Sequence, residues 1–168
     1  MTLEELNSLH EEDCRKALFS CCGSTKWVEE MLSYRPFPTK EDLQDKAGKL
    51  FKGCNHEDWL EAFSHHAKLG GRSKMEQRAK KNLTQWEKQE QAGTAMANDA
   101  LLIELEEANI EYENKFGFIF LLCATGKSAV EMLESIYERL PNELNNELSI
   151  AMEEQNKITK LRLEKLLS

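Results

Sequence analysis

The chain has 168 residues, 40% of them hydrophobic and 31% charged, which is enough to bury one core without disulfides or metal and too apolar for general disorder. Its formal net charge of -8 repels phosphate backbones and anionic lipid, so neither nucleic acid nor a membrane surface is an expected partner. The opening Met1-Thr2-Leu3-Glu4-Glu5 lacks the apolar core of a signal peptide and no run of about 18 apolar residues follows, so the expectation is one cytoplasmic domain over 1–168.

Helix signals recur along the chain. Thr2 with Glu5 makes a capping box, Ser24 precedes Trp27, Val28, Met31 and Leu32, Thr39 with Asp42 opens another helix, and Asn55 with Asp58 a fourth. Breaks fall at Cys22-Gly23, Arg35-Pro36-Phe37-Pro38, Gly53, Gly70-Gly71 and Thr125-Gly126, and Pro141 is placed as the first residue of the last helix. Over 99–116, Leu101, Leu105, Ala108 and Tyr112 recur at helical spacing, as do Leu144, Leu148, Ala151, Ile158 and Leu161 over 141–167. The unbroken apolar run 118–123 has no partner strand elsewhere, and an unpaired buried strand leaves backbone groups unsatisfied, so it is not read as a strand. The expected fold is an all-α bundle of about eight helices.

Cys14, Cys21, Cys22, Cys54 and Cys123 are an odd set without paired spacing, which argues for reduced, largely buried thiols over a disulfide framework. Two motifs are set aside. Thr125-Gly126-Lys127-Ser128 resembles the end of a phosphate loop, but Leu121 stands where that loop needs glycine, so a turn with Ser128 as helix cap is expected. Cys54, His56, His65 and His66 lack a trustworthy ligand spacing, and neighbours on a helix diverge by about 100°, so no metal is expected.

Polar residues in apolar positions carry the functional signal. Helical spacing continues the stripe Trp59, Ala62, Phe63 onto His66 and turns His65 elsewhere; such a histidine is either packed with one satisfied hydrogen bond or poised for catalysis. Over 73–93 a helix would align Leu83, Trp86 and Glu90, making Glu90 a helix-end or ion-paired carboxylate or one set in a cleft. Arg162 stands four residues after Ile158 on a face that should pack inward, whereas Arg139, Lys160 and Lys165 read as solvated charges. An inward arginine needs an anion, supplied by a neighbouring helix or by a ligand carboxylate.

A series of segments in order then resembles one family. These are Cys21-Cys22-Gly23-Ser24 with Trp27, Arg35-Pro36-Phe37, Trp59-Leu60-Glu61-Ala62-Phe63 leading into His66-Ala67-Lys68-Leu69-Gly70, and Glu90-Gln91. They continue with Asn109 to Tyr112, Lys115-Phe116-Gly117-Phe118, Phe120-Leu121-Leu122-Cys123-Ala124, and Ile158 to Leu163. The chain resembles the 2-oxo-4-hydroxy-4-carboxy-5-ureidoimidazoline (OHCU) decarboxylases, which complete the conversion of urate to allantoin.

That resemblance implies an all-helical, usually dimeric enzyme needing no cofactor and acting on a small ureidoimidazoline. It implies that His66 and Glu90 are catalytic and that Ala67, Glu87, Lys88, Gln89, Gln91, Phe120, Leu121, Leu122, Cys123, Ala124 and Arg162 contact the substrate. Two positions depart from the family pattern: Ala67 stands where proline usually follows the histidine, and Glu87 where a serine usually precedes the glutamate. A helical binding module that kept the fold and lost the reaction is the alternative. Many eukaryotic relatives are peroxisomal, but Lys165-Leu166-Leu167-Ser168 is not a Ser-Lys-Leu address, so a cytoplasmic protein remains the expectation.

Overall fold

A computed structural model describes residues 1–66 and 95–168. Among the described residues there are eight α-helices and no strand: α1 (Leu3–Ser8), α2 (Glu11–Cys21), α3 (Thr25–Ser33), α4 (Lys40–Lys52), α5 (His56–Ser64), α6 (Ala95–Phe116), α7 (Ala129–Arg139) and α8 (Leu144–Leu166). The all-α expectation is met. They fall into two compact units, Met1–His66 with Leu148–Ser168, and Ala67–Glu147.

In the first unit the helices start where their caps are. Thr2 and Asn55 make full capping boxes with Glu5 and Asp58, and Ser24 and Thr39 accept from the amides of Trp27 and Asp42. Each cap satisfies amides that the first helical turn leaves without a partner. The core forms around Trp27, Met31, Leu43, Phe51 and Phe63, all but sealed from solvent. Both buried indoles keep their N–H satisfied, Trp27 Nε1 donating to the Ala47 carbonyl at 2.9 Å and Trp59 Nε1 to Phe51 at 2.7 Å.

The phase of α8 differs from the sequence expectation. Leu144 is exposed and Ile158 and Leu161 are only half-buried, while the sealed line runs Leu148, Ala151, Met152, Gln155, Thr159, Leu163. Two polar side chains therefore stand in a core line. Nor does α8 begin at Pro141: the Asn142 amide bonds back to the Arg139 carbonyl at 3.0 Å, so Pro141 belongs to a turn closing α7, and the helix begins at Leu144.

In the second unit the described part is α6, α7, the irregular segment 117–128 and the first turn of α8. The buried face of α6 is Leu102, Leu105, Ala108 and Tyr112, with Leu101 half-buried beside it, so the expected face is right but for its first member. Ser128 caps α7 by accepting from Glu131 N, as expected from reading Thr125-Gly126-Lys127-Ser128 as a turn with Ser128 as helix cap. Gly117 and Gly126 take φ of 81° and 77°, a region that costs other residues about 1–2 kcal/mol, and so turn the chain into and out of the intervening segment.

Within that segment Phe118, Phe120, Leu121 and Leu122 are buried without forming a strand. Tyr112 gathers its rings, with centroids of Phe116, Phe118 and Phe120 at 4.6, 5.8 and 5.1 Å. The contacts with Phe118 and Phe120 are edge-on, the geometry the ring quadrupole favours.

Candidate functional site

His66 owes its place to the end of α5. The buried stripe Trp59, Ala62, Phe63 docks the helix, which closes as the amides of His65 and His66 bond to the carbonyls of Ala62 and Phe63 at 3.3 and 3.2 Å. Helix α5 thus stops at Ser64 with His65 as its C-cap, and His66 lies just beyond the helix rather than within it. The tightened three-residue bonds of a helix end still leave the His66 ring half-buried. His65 is exposed and sets its ring edge against Phe19, centroids 5.0 Å apart. Gly23 leaves room for it, since a Cβ there would meet the His65 ring at 2.7 Å.

Both nitrogens of the His66 ring meet α8. Nε2 lies 2.6 Å from Gln155 Oε1, and Nδ1 lies 3.4 Å from Arg162 Nη2. Gln155 Nε2 donates to Thr159 Oγ1 at 2.9 Å, and Arg162 Nη1 reaches the Ser20 carbonyl at 3.4 Å. Residues 155, 159 and 162 lie four and three apart, on one helix face. Burial pushes the His66 imidazole below its ordinary value; the cation of Arg162 and then His65 act the same way, and the Gln155 contact opposes them. The ring is therefore neutral near pH 7.

The half-buried Arg162 of the sequence reading is found as expected, and no carboxylate among the described residues lies within 4.0 Å of its guanidinium. Gln155 and Thr159 were missed. A signal existed: stepping from Leu148 by seven, four and four lands on Gln155, Thr159 and Leu163, so two polar residues interrupt an apolar line once the phase is right.

Arg139 is a correction. Expected as a solvated charge, it is 8% exposed, and its Nε donates at 2.5 Å to Oε1 of Glu147, which is 0% exposed. Tyr112 Oη donates to the same carboxylate oxygen at 2.5 Å and Asn142 Nδ2 to the other at 3.1 Å. Arg139 Nη1 donates to the Leu121 carbonyl at 2.7 Å, and the guanidinium lies 4.4 Å from the Phe120 ring centroid. A planar cation over an aromatic face, forked between a carboxylate and a carbonyl, suits arginine and would not suit lysine. Burial, reinforced by Glu147, raises the Tyr112 phenol far above its ordinary value, so it stays a donor.

Of the expected substrate-lining residues, Phe120, Leu121 and Leu122 are buried in the second unit, and Cys123 and Ala124 are half-buried. Ala67, Glu87, Lys88, Gln89, Glu90 and Gln91, with the helix expected over 73–93, lie outside the described residues.

All five cysteines are free, with Cys14, Cys21 and Cys22 buried and Cys54 and Cys123 half-buried. Burial pushes the Cys22 thiol up to about 12 and Cys54 up to about 11, so the adjacent Cys21-Cys22 pair lacks the thiolate that reactivity needs. Among the described residues no cluster of three His, Cys, Asp or Glu side chains has metal-site geometry, and no helix is long and apolar enough to cross a membrane.

Comparison with known proteins bears on this arrangement. Residues 7–164 match a family model described as OHCU decarboxylase. The uric acid degradation bifunctional protein TTL of Arabidopsis thaliana is 37% identical over 151 residues, covering 88% of this chain and 45% of that protein. The chain thus spans less than half the length of that bifunctional relative. The 2-oxo-4-hydroxy-4-carboxy-5-ureidoimidazoline decarboxylase of Halalkalicoccus jeotgali is 26% identical over 167 residues, covering 99% of this chain and 92% of that one. A crystal structure of OHCU decarboxylase in the presence of (S)-allantoin superposes with a TM-score of 0.73 at 34% identity, covering 95% of this chain and 99% of that chain.

Proposed function

The chain belongs to the OHCU decarboxylase family, and from that membership we propose that it converts 2-oxo-4-hydroxy-4-carboxy-5-ureidoimidazoline to (S)-allantoin and carbon dioxide without a cofactor, as a carboxy-lyase of urate degradation. The observation that carries the reading is the neutral His66 ring with the Arg162 fork 3.4 Å from its Nδ1. It pairs a group that can move a proton near neutral pH with a cation suited to an anionic ligand.

The chemistry asks for little more. Breaking the bond to the carboxylate leaves an electron pair on the ring, where the adjacent carbon–nitrogen system takes it up, so no cofactor is required as an electron sink. A proton must then reach the ring carbon from one face only, which fixes the handedness of the product. Because the imidazole starts neutral, His66 takes up a proton before it delivers one. In this proposal Arg162 binds the substrate's anionic group, and Glu90 and Gln91 orient its ring or ureido groups. Ala67, Glu87, Lys88 and Gln89 contribute contacts, and the main chain of Phe120, Leu121, Leu122, Cys123 and Ala124 lines the substrate. The same proposal takes 1–168 as one catalytic domain of a cytoplasmic homodimer.

A binding module of the same fold is the rival, favoured by Ala67 and Glu87 where the family pattern differs. Freshly generated substrate is mixed with the protein and followed by circular dichroism. Optically active allantoin appearing faster than in buffer is the expected result; a rate equal to buffer favours the binding module.

A further inference from the structure

We propose that Gln155 is the positioning residue of His66: backed by Thr159, it holds the imidazole as the Nε2–H tautomer and leaves Nδ1 as the basic nitrogen beside Arg162. The inference rests on the proposed role of His66 in the decarboxylation and adds which ring nitrogen does the work.

Two independent constraints agree on the tautomer. Arginine has five N–H donors and no acceptor, so a ring nitrogen 3.4 Å from Arg162 Nη2 pairs with it only through a lone pair, which makes Nδ1 the bare nitrogen. In a neutral imidazole the proton is then on Nε2, and Nε2 needs an acceptor at 2.6 Å. Gln155 offers one only if its oxygen faces the ring and its amide nitrogen faces away. The nitrogen does find an acceptor on the far side, at Thr159 Oγ1, 2.9 Å off. The Thr159 hydroxyl oxygen has two lone pairs, so it can accept from Gln155 whichever way its own proton points.

Burial makes the arrangement decisive. Gln155 is 0% and Thr159 2% exposed, so water cannot replace a lost partner, and an inverted amide would set an N–H against an N–H, leaving both unsatisfied. The relay runs from Thr159 through Gln155 to His66. Among the described residues the charged and titratable groups bearing on the ring are Arg162 on α8 and His65 beside it; burial keeps Cys21 and Cys22 as neutral thiols. A ring held by Nε2 presents Nδ1 toward the anion-binding cation, so the proton leaves and returns on that side.

The test is nitrogen NMR of the full-length protein labelled at histidine, with rate–pH profiles of the wild type, Gln155→Glu and Gln155→Met. In the wild type above the His66 titration, Nε2 should carry the shift of a protonated nitrogen and Nδ1 that of a bare one; a proton on Nδ1 overturns the proposal. Gln155→Glu puts a carboxylate on Nε2–H, so the acidic limb of the profile should move up by about one pH unit or more. Gln155→Met removes the acceptor, so kcat should fall about tenfold while KM stays within about threefold. A role confined to packing would lower rates only with the folded fraction and leave both the limb and the tautomer in place, and that result also overturns the proposal. If both variants fail to fold, the wild-type spectrum decides. A wild type with the expected tautomer but no turnover would refute the proposed function and leave the tautomer assignment standing.

Discussion

Arg139, at the end of α7, and Arg162, on α8, have opposite surroundings. Arg139 is sealed with a carboxylate that is itself 0% exposed, donates its Nη1 to the Leu121 carbonyl and lies over the face of the Phe120 ring. Arg162 is half-buried, faces a neutral imidazole and, among the described residues, reaches its acceptors at 3.4 Å. The first pairing is complete and adds nothing that a ligand needs. Among the described residues the second leaves a cation with donors to spare, which is how a binding arginine differs from a structural one.

The sharpest way to break that comparison is to remove each arginine and measure urea unfolding. Arg139→Leu strands the buried Glu147 carboxylate and should cost about 3–5 kcal/mol, whereas Arg162→Leu should cost under about 1 kcal/mol. Equal losses would show that both are structural. On the functional side, His66→Asn should keep the fold and lower the catalysed rate by about two orders of magnitude or more. His65→Asn, whose ring packs on Phe19, should change it by less than about threefold; the reverse pattern would mean that the wrong histidine has been assigned.

Smaller effects sharpen the picture. Arg162→Lys keeps the charge and loses the planar fork, so KM should rise about tenfold with a smaller change in kcat; a change in kcat alone would point to a role in the proton transfer instead. The pH dependence of stability follows from the direction of the His66 shift. Its ordinary value is 6.5 and its folded value lies lower, so between the two the unfolded chain binds more protons than the folded one. Stability should therefore be complete above about pH 6.5, fall as the pH drops through that window, and level off once the folded ring is protonated. Thermal melts of the wild type and His66→Asn across the window test this, since the difference between the two curves should change with pH inside it and become constant above it.

Local signals in the sequence were legible because local physics decides them. The caps at Thr2, Ser24, Thr39, Asn55 and Ser128 satisfy amides within three residues of themselves, so the residue types alone locate the helix starts. The inward His66 followed from the stripe Trp59, Ala62, Phe63, although the helix stops two residues short of it. Arg162 was legible in the same way, as a charge on an apolar face.

Pairing across the fold was not legible. Whether Arg139 is solvated or sealed depends on Glu147 and on the Leu121 carbonyl arriving at its guanidinium, and no spacing along the chain records that a partner is waiting. Gln155 and Thr159 lie on a face whose phase is ambiguous by one residue in a long, weakly amphipathic helix, and only packing selects the line that holds them. The sequence by itself determined the helices, their starts and which residues were out of place in them, because those follow from hydrogen bonds and periodicity within a turn or two. Tertiary structure alone decided which charges are neutralised and which nitrogen of His66 is free, because a proton's position depends on the donors and acceptors that folding brings within about 3 Å of it.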